Sequence, residues 1–393
     1  MPFQPYFGVS LFRNKSDYPA EDSVLILKNM RTRALFLIFS LIFSARLQAQ
    51  DSSVSLMFIG DVMGHDTQIN GAYDSLTGKY DFNPCFQYIK PILSEPDITI
   101  ANLEVTLAGK PYKGYPSFSS PDALAVALKN AGVDCLVTAN NHSCDRRKKG
   151  VVRTIDVLDS LGFSHTGTFR TLEEKKQQQP LILRKNGMRI ALLNYTYGTN
   201  GIPVPKGTAV NLINKDSIKA DLVKAKSMNP DAVIVFTHWG LEYKRKPSKD
   251  QVDIYEFCKA NGADLVIGSH PHVLQKMEME KDTVTGKKHL VAYSLGNFVS
   301  NQRTEPRDGG AVLRVELVKE NGKTRIKDAG YYITWVYNPK VDGRRRFRIL
   351  PASRYELKED FFASKAYHDK MMRFINGTRD LFESEKVNIR ELE

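Results

Sequence analysis

Six hydrophobic, β-branched runs in this chain each break off into a short cluster of Asp, Glu, Asn or His. They are LMFIGD ending at Asp61, ITIANLE at Glu104, CLVTANNH at Asn141 and His142, AVIVFTHWG around His238, LVIGSHPH at His270 and His272, and VAYSLGNF around Asn297. A strand can bury its body while its polar tip stays at the rim, so six such tips point to one shared site. Open α/β sheets place ligands outside the carboxyl ends of their strands, where all six clusters fall. One carboxylate from each of two strands, an amide and several imidazoles form the ligand set of a divalent metal site. The chain reads as a metal-centred α/β protein and a candidate enzyme.

The rest of the pattern agrees with α/β architecture. Strand patterns at 53–59, 97–101, 135–138, 189–195, 232–236 and 265–267 alternate with helical spacing at 86–93, 121–131, 149–161, 217–227 and 249–261. Residues 108–121 (AGKPYKGYPSFSSP) hold too many Pro, Gly and Ser residues for regular structure. After His272 the runs 274–280, 289–299, 311–319 and 329–337 alternate apolar and polar, which predicts antiparallel strands forming a second sheet. The tract Lys175–Gln179 is expected as a surface loop, and the polar, helix-favouring end, 365–392, as a cover for an edge. This gives three regions: 1–49 as a signal region, 50–340 as the main domain, and 341–393 as a C-terminal extension with a helix packed on it.

The start of the chain predicts export. Met30-Arg-Thr-Arg33 is a short positive region, followed by the apolar run Ala34–Ser44 and a cleavable Leu47-Gln-Ala49, with translation starting at Met30 and cleavage near Ala49. That run is too short for a comfortable membrane span. An uncleaved signal anchor is the alternative, since Arg46 makes the cleavage region imperfect. The expected location is periplasmic or envelope-associated. Net charge is +12, and six Lys/Arg against three Asp/Glu in residues 1–49 leave +9 for the rest. That balance suits an anionic polymer or a phosphate-containing substrate, and equally a merely soluble basic protein. Nucleic acid is not expected, because no binding motif or basic-aromatic stripe appears. Four cysteines are too few for a disulfide scaffold at this length.

Each tip has its own chemistry. Gly60 lets the strand turn sharply and aim the Asp61 carboxylate outward. Glu104 can bridge or bind a second cation, and Asn102, two residues before it, lies on the same side of an extended strand. In Asn140-Asn141-His142 an amide oxygen suits a hard cation and the adjacent His can protonate a leaving oxygen; the same residues also suit a plain turn. His270 and His272 are two apart, so an extended backbone points both rings the same way. Loops Tyr112–Ser120 and Tyr195–Pro205 are placed to cover substrate, with Lys113, Tyr115 and Ser117 available to an anionic polymer. Lys244 and Arg245 are expected to add cations at the mouth.

As an ordered set the motifs Gly60-Asp61-Val62-Met63, Asn102-Leu103-Glu104, Ala139-Asn140-Asn141-His142, His238-Trp239-Gly240, Gly268–His272 and Ser294–Phe298 resemble those of the CapA capsule-synthesis family (poly-γ-glutamate type). The fold of that family is related to calcineurin-like metallophosphoesterases. The resemblance implies a four-layer αββα sandwich with two divalent ions (Mn, Fe, Zn or Mg), and work alongside a membrane polymer synthase. It implies Asp61, Glu104, Asn141, His238, His270 and His272 as metal ligands and His142 as general acid. Asn102, Asn140, Lys113, Tyr115, Ser117 and Asn297 are then expected to face substrate. Three positions depart from the phosphoesterase pattern: Met63 stands where the first motif has His, with His65 two further on; Glu104 replaces an Asp; and Ser143, not an acid, follows His142. Three functions stay open: a capsule-biosynthesis component, a metal-dependent phosphoesterase or amide hydrolase, and a non-catalytic polymer-binding module.

Overall fold

The computed structural model describes residues 51–393, so the signal-peptide expectation lies outside the described residues. In chain order, β1 (Ser52–Val62), β2 (Ile98–Leu103), α1 (Ala123–Asn130), β3 (Cys135–Val137), α2 (Arg147–Ser160) and β4 (Ser164–Thr166) lay down four parallel strands. The hairpin β5 (Leu181–Lys185) and β6 (Met188–Thr196) starts a second sheet. It continues through α3 (Lys215–Ser227), β7 (Ala232–His238), α4 (Lys249–Ala260), β8 (Leu265–Ser269), β9 (Met277–Lys281) and β10 (Lys288–Ala292) in the order β9-β10-β8-β7-β6-β5. The chain then returns to the first sheet with β11 (Asn297–Val299), β12 (Gly309–Glu320), β13 (Lys323–Tyr337) and β14 (Arg348–Pro351), followed by α5 (Lys365–Ser384) and β15 (Arg390–Glu391). That sheet runs β14-β13-β12-β1-β2-β3-β4, with β11 beside β1 and β15 beside β13.

Alternation along the strands makes four layers. Leu56 and Phe58 of β1, Ile98 and Ile100 of β2, Ile234 and Phe236 of β7 and Leu265 and Ile267 of β8 share one core between the two sheets. Their neighbours face outward: Met57, Ile59 and Ala101 pack against Leu124 and Leu128 of α1 and Leu158 of α2. On the other sheet Val233, Val235 and Val266 pack against Ile218 and Leu222 of α3 and Cys258 of α4. Each helix is set by local chemistry as well as by its apolar stripe. Asn214 caps α3, and Ser248 with Gln251 forms a capping box on α4. The stripe Met371, Phe374, Ile375, Leu381 and Phe382 of α5 joins the inter-sheet core along β13. With β14 and β15 hydrogen-bonded to β13, residues 341–393 are part of the sandwich and not only a cover on it.

The alternating runs after His272 do not build the second sheet by themselves. Those at 277–281 and 288–292 join it, while in the first sheet β12 pairs with β1, Ser52 opposite Lys319, and β13 pairs with β12. Alternation reports a half-buried strand and says nothing about which sheet takes it. The Lys175–Gln178 part of the expected loop lies in a short helix, Leu172–Gln178, capped by Thr171. The expected helix 86–93 is two single turns, Asn83–Phe86 and Lys90–Leu93, each with Pro in its first turn. Among the described residues no helix is long and apolar enough to cross a membrane.

Candidate metal centre

The six polar tips converge at one end of the inter-sheet core, and a β-bulge makes that possible. On β2 the inward positions are Ile98, Ile100, Asn102 and, just past the strand, Glu104. Strict alternation from Phe58 would turn Asp61 outward, to the helix side. The register slips at Gly60, so that Ile59 pairs with Ala101 but Asp61 pairs with Asn102, and Asp61 joins the inward face. Only glycine fits there: a Cβ at residue 60 would lie 2.2 Å from the Gly296 carbonyl oxygen. Beyond the bulge Val62 and Met63 pack in the outer core, so Met63 is a core residue and not a vacant ligand position.

The second sheet supplies the histidines. His238 ends β7 on its inward face. His270 and His272 follow β8, but not in the extended conformation that their spacing suggests. Their φ angles are 99° and 57°, a region that L side chains rarely adopt, so a strained turn and not a strand brings the two rings together. The ring centroids of His238 and His270 lie 4.7 Å apart, and those of His270 and His272 5.9 Å.

Two donor groups share Glu104. Glu104, His238 and His270 form one, and Asp61, Glu104 and His272 the other, with donor atoms in each within 4.8 Å of one another. Glu104 Oε1 lies 3.6 Å from His238 Nε2 and 3.7 Å from His272 Nε2. Asn141 Oδ1 lies 2.9 Å from His238 Nε2. Ligands bound at about 2.1 Å around a common ion sit ~3.0–3.5 Å apart for octahedral or tetrahedral geometry, so these separations are close to a coordination shell.

Hydrogen bonding around the rings fixes which nitrogen points inward. His238 Nδ1 meets Ser269 Oγ at 2.9 Å and Asn102 Nδ2 at 3.3 Å, which leaves Nε2 facing Asn141 Oδ1 and Glu104 Oε1. Asn141 Nδ2 bonds Asn200 Oδ1, which turns its Oδ1 toward His238. Asn297 Nδ2 donates to the carbonyls of His272 and Arg307, which presents Asn297 Oδ1 to His272 Nδ1 at 3.1 Å. Imidazole nitrogens and carboxylate and amide oxygens thus converge on one point, with His272 Nδ1 also 3.1 Å from Asp61 Oδ2. Glu104 is fully buried, neither of its carboxylate oxygens has a hydrogen-bond partner, and His270 Nδ1 is also unpartnered. A cation is the group that satisfies this arrangement.

The electrostatics have the same cause. Burial, reinforced by the neighbouring Asp61 charge, holds the Glu104 carboxyl well above the usual carboxylate range. Burial drives His238 well below the ordinary imidazole value, with His270 and His272 adding to the effect. His270 is pushed down to about 3, again by burial first and then by His272. Burial thus favours the neutral form of His238 and His270, the form in which imidazole binds a metal.

His142 stands beside this centre in a different relation. Its Nδ1 lies 2.8 Å from the fully buried Asp145 Oδ2, which also accepts from the Phe118 amide, and the Phe118 ring meets the imidazole edge-on at 4.6 Å. The acid missing at Ser143 is thus supplied three residues after His142. Ser143 has its own task, bonding the Asn140 amide and the carbonyls of Thr138 and Asn140 to tie the turn.

The remaining sequence candidates divide into supports and surface residues. Asn102 Nδ2 bonds Asp61 Oδ1 at 2.8 Å, and Asn297 holds His272; both are fully buried behind the ligand candidates. Asn140 bonds Asn102, the Leu103 carbonyl and the His142 amide, so it shapes the turn from inside. Ser117 Oγ donates to the Asp145 carbonyl. Lys113 pairs with Asp66 at 3.0 Å, and Tyr115 is 68% exposed with none of its side chain in the centre. His65 caps the helix Asp66–Ala72 beside Gln68, and burial pushes it down to about 4.

Two residues at the mouth are new. Tyr197 lies over His270 at a centroid distance of 4.5 Å and is half exposed. Glu242 brings a carboxylate to His270 and His272, so the segment expected to add cations adds an acid first. Arg245 turns away and donates to the Gly377 carbonyl of α5. In the sequence Asp145 and Glu242 are marked only by following the tips at His142 and His238 by three and four positions, and Tyr197 only by lying in the loop Tyr195–Pro205 expected to cover substrate.

Comparison with known proteins agrees with these motifs. A family model described as "Bacterial capsule synthesis protein PGA_cap" matches residues 55–302. The chain is 28% identical over 290 residues to "Capsule biosynthesis protein CapA" of Bacillus anthracis, covering 71% of this chain and 67% of that protein. It is 29% identical over 286 residues to "PGA biosynthesis protein CapA" of Bacillus subtilis (strain 168), covering 70% and 71%. Among solved structures it is similar to the calcineurin-like phosphoesterase YfkN of Bacillus subtilis, at 14% identity and TM-score 0.44 over 86% of this chain and 99% of that one. It is also similar to the NAD nucleotidase of Haemophilus influenzae, at 12% identity and TM-score 0.46 over 84% and 60%. With the matched span covering all six tips, the chain belongs to the bacterial capsule synthesis protein family PGA_cap.

Proposed function

We propose that this protein is an exported, two-metal hydrolase of capsule or exopolymer biosynthesis that acts on an anionic, carboxylate- or phosphate-rich polymer. The observation that carries the hydrolytic reading is the buried Glu104 carboxylate, unpartnered on both oxygens and shared between two donor groups. Asn141, His238 and His270 with Glu104 would hold one ion, and Asp61 and His272 with Glu104 the other. Divalent ions held there supply Lewis acidity to an oxygen of the scissile group. The protein supplies the rest. Ser269 and Asn297 orient the ligating rings, and Asp145 fixes the His142 ring and places its negative charge beside it. His142 Nε2, which has no partner among the described residues, delivers a proton to the leaving oxygen. Tyr197 and Glu242 stand at the entrance. The positive balance of the chain supports an anionic substrate.

The test has two arms. Elemental analysis of protein purified without chelator is expected to find close to two ions per chain. Turnover of bis-p-nitrophenyl phosphate and release of glutamate from poly-γ-glutamate are compared with Mn²⁺ and after chelation. Absence of metal from protein grown and purified with metal would sink both the two-ion site and the hydrolytic reading. Full metal content without turnover of either substrate class would leave the binding centre and remove the enzyme.

A further inference from the structure

A second site lies away from the metal centre, where the arginine-rich hairpin meets the first loops of the domain. Four arginines fall within five residues, Arg344, Arg345, Arg346 and Arg348. Arg344, Arg346 and Arg348 occupy alternate positions of an extended segment, and all three reach the same module. Arg344 donates to the Tyr73 carbonyl, Arg346 to the Gly71 carbonyl and Arg348 to the Pro84 carbonyl. None of the three forms an ion pair with a carboxylate among the described residues. A guanidinium has five N–H donors, and one bond to a carbonyl leaves four.

Arg346 and Arg348 line a cavity of about 160 Å³ with Gln68, Asp81, Phe82 and Cys85. At roughly 30 Å³ per water that is space for about five waters, sufficient for a phosphate-sized anion. The one carboxylate in the lining, Asp81, is committed through Oδ1 to the Asn83 amide and side chain. Gln68 is also occupied, accepting from the His65 amide and donating to the Met63 carbonyl. Two arginines without an ion-pair partner therefore line a small cavity with one carboxylate, Asp81, which is bonded at Oδ1, and their combined charge exceeds its own. Arginine pairs in that setting bind oxyanions, because their planar forks match phosphate and carboxylate oxygens.

We propose that this cavity is a phosphate-binding site, formed by Arg346 and Arg348 and distinct from the metal centre, which takes inorganic phosphate or the terminal phosphate of a larger molecule. It does not depend on the metal-centred reading. Calorimetric titration of the full chain with inorganic phosphate, against chloride at matched ionic strength, is expected to give one site that survives in a Asp61→Asn, His270→Ala double variant. Arg346→Gln or Arg348→Gln should weaken that binding about tenfold or more, the loss of a charge-assisted pair, whereas Arg344→Gln, outside the cavity lining, should not. A phosphate monoester of an alcohol too large for the cavity separates the sources: binding equal to that of inorganic phosphate assigns a terminal phosphate, and exclusion assigns the free ion. Should the arginine variants not fold, hydrogen exchange of the wild-type chain decides. Phosphate should slow exchange in segments 68–72, 81–85 and 345–348. No binding, binding lost only in the metal-centre variant, or slowing confined to segments 60–64 and 268–272 would each overturn the proposal.

Discussion

Replacing Glu104 by Gln separates two roles that the wild-type residue combines. In the metal-free protein Glu104 is fully buried with both oxygens unpartnered and Asp61 beside it. Gln keeps the shape and removes the charge, and its amide can bond the His238 and His272 ring nitrogens that face it. A buried, unsatisfied charged group costs on the order of 2 kcal/mol relative to a satisfied neutral one. For a folded unit of about 340 residues, at ~2.1 cal/mol/K of unfolding entropy per residue, that corresponds to a Tm change of ~3 °C. The sign with pH follows from linkage. An acid whose folded-state pKa is raised binds more protons folded than unfolded, so stability falls as pH rises from its ordinary value of 4.5 up through the raised value. In chelator, Glu104→Gln should therefore melt higher than wild type at pH 8, with the gap closing as the pH is lowered and Glu104 takes up its proton. With Mn²⁺ the order should reverse, because only the carboxylate gains the metal. Differential scanning calorimetry over that pH range tests both halves. A variant that melts lower than wild type in chelator at every pH would refute the claim that Glu104 awaits a cation.

Three further outcomes follow from the same geometry. His142→Ala should lower kcat on any hydrolysed substrate by about 10²–10⁴ while leaving metal content unchanged, and Asp145→Asn should lower it less, also without metal loss; loss of metal from either would place them in the coordination shell instead. Ser269→Ala releases His238 Nδ1 and should weaken metal binding by roughly 10–100-fold in competition with a chelating dye, without shifting the metal-free melting temperature by more than about 2 °C. Gly60→Ala drives a methyl group into the Gly296 carbonyl and should destabilise the fold by about 3 kcal/mol in urea unfolding; a silent substitution would mean that the bulge is not what turns Asp61 inward.

The sequence exposed the ends of the strands better than their partners. Asp61, Glu104, His238, His270 and His272 were visible because a buried strand that stops in a charged or imidazole side chain breaks the apolar pattern abruptly. The assignment of strands to sheets was not visible, because β12 and β10 alternate in the same manner although they lie in different sheets. Pairing depends on contacts between residues more than 200 positions apart, such as Ser52 with Lys319, and local alternation contains no trace of them.

The site adds a second kind of illegibility, in the orientation of side chains with respect to each other. Met63 and Ser143 look in the sequence like lost catalytic groups, because the motif is read one position at a time. In three dimensions the bulge at Gly60 delivers Asp61 to the inner face, the strand breaks its alternation and ends at Val62, and Met63 packs in the outer core, where a ligand would be useless. Similarly, the turn after Asn140 brings residue 145 back under residue 142, so the carboxylate that orients His142 does not need to be adjacent. The irregular elements, one bulge, one tied turn and two histidines at positive φ, decide which polar residues face the core. Each departs from the periodicity by which strands are recognised. A change in one residue of the motif therefore says little about activity until the bulge or turn that aims it is known, and Gly60 and Ser143 constrain this centre as firmly as the ligands themselves.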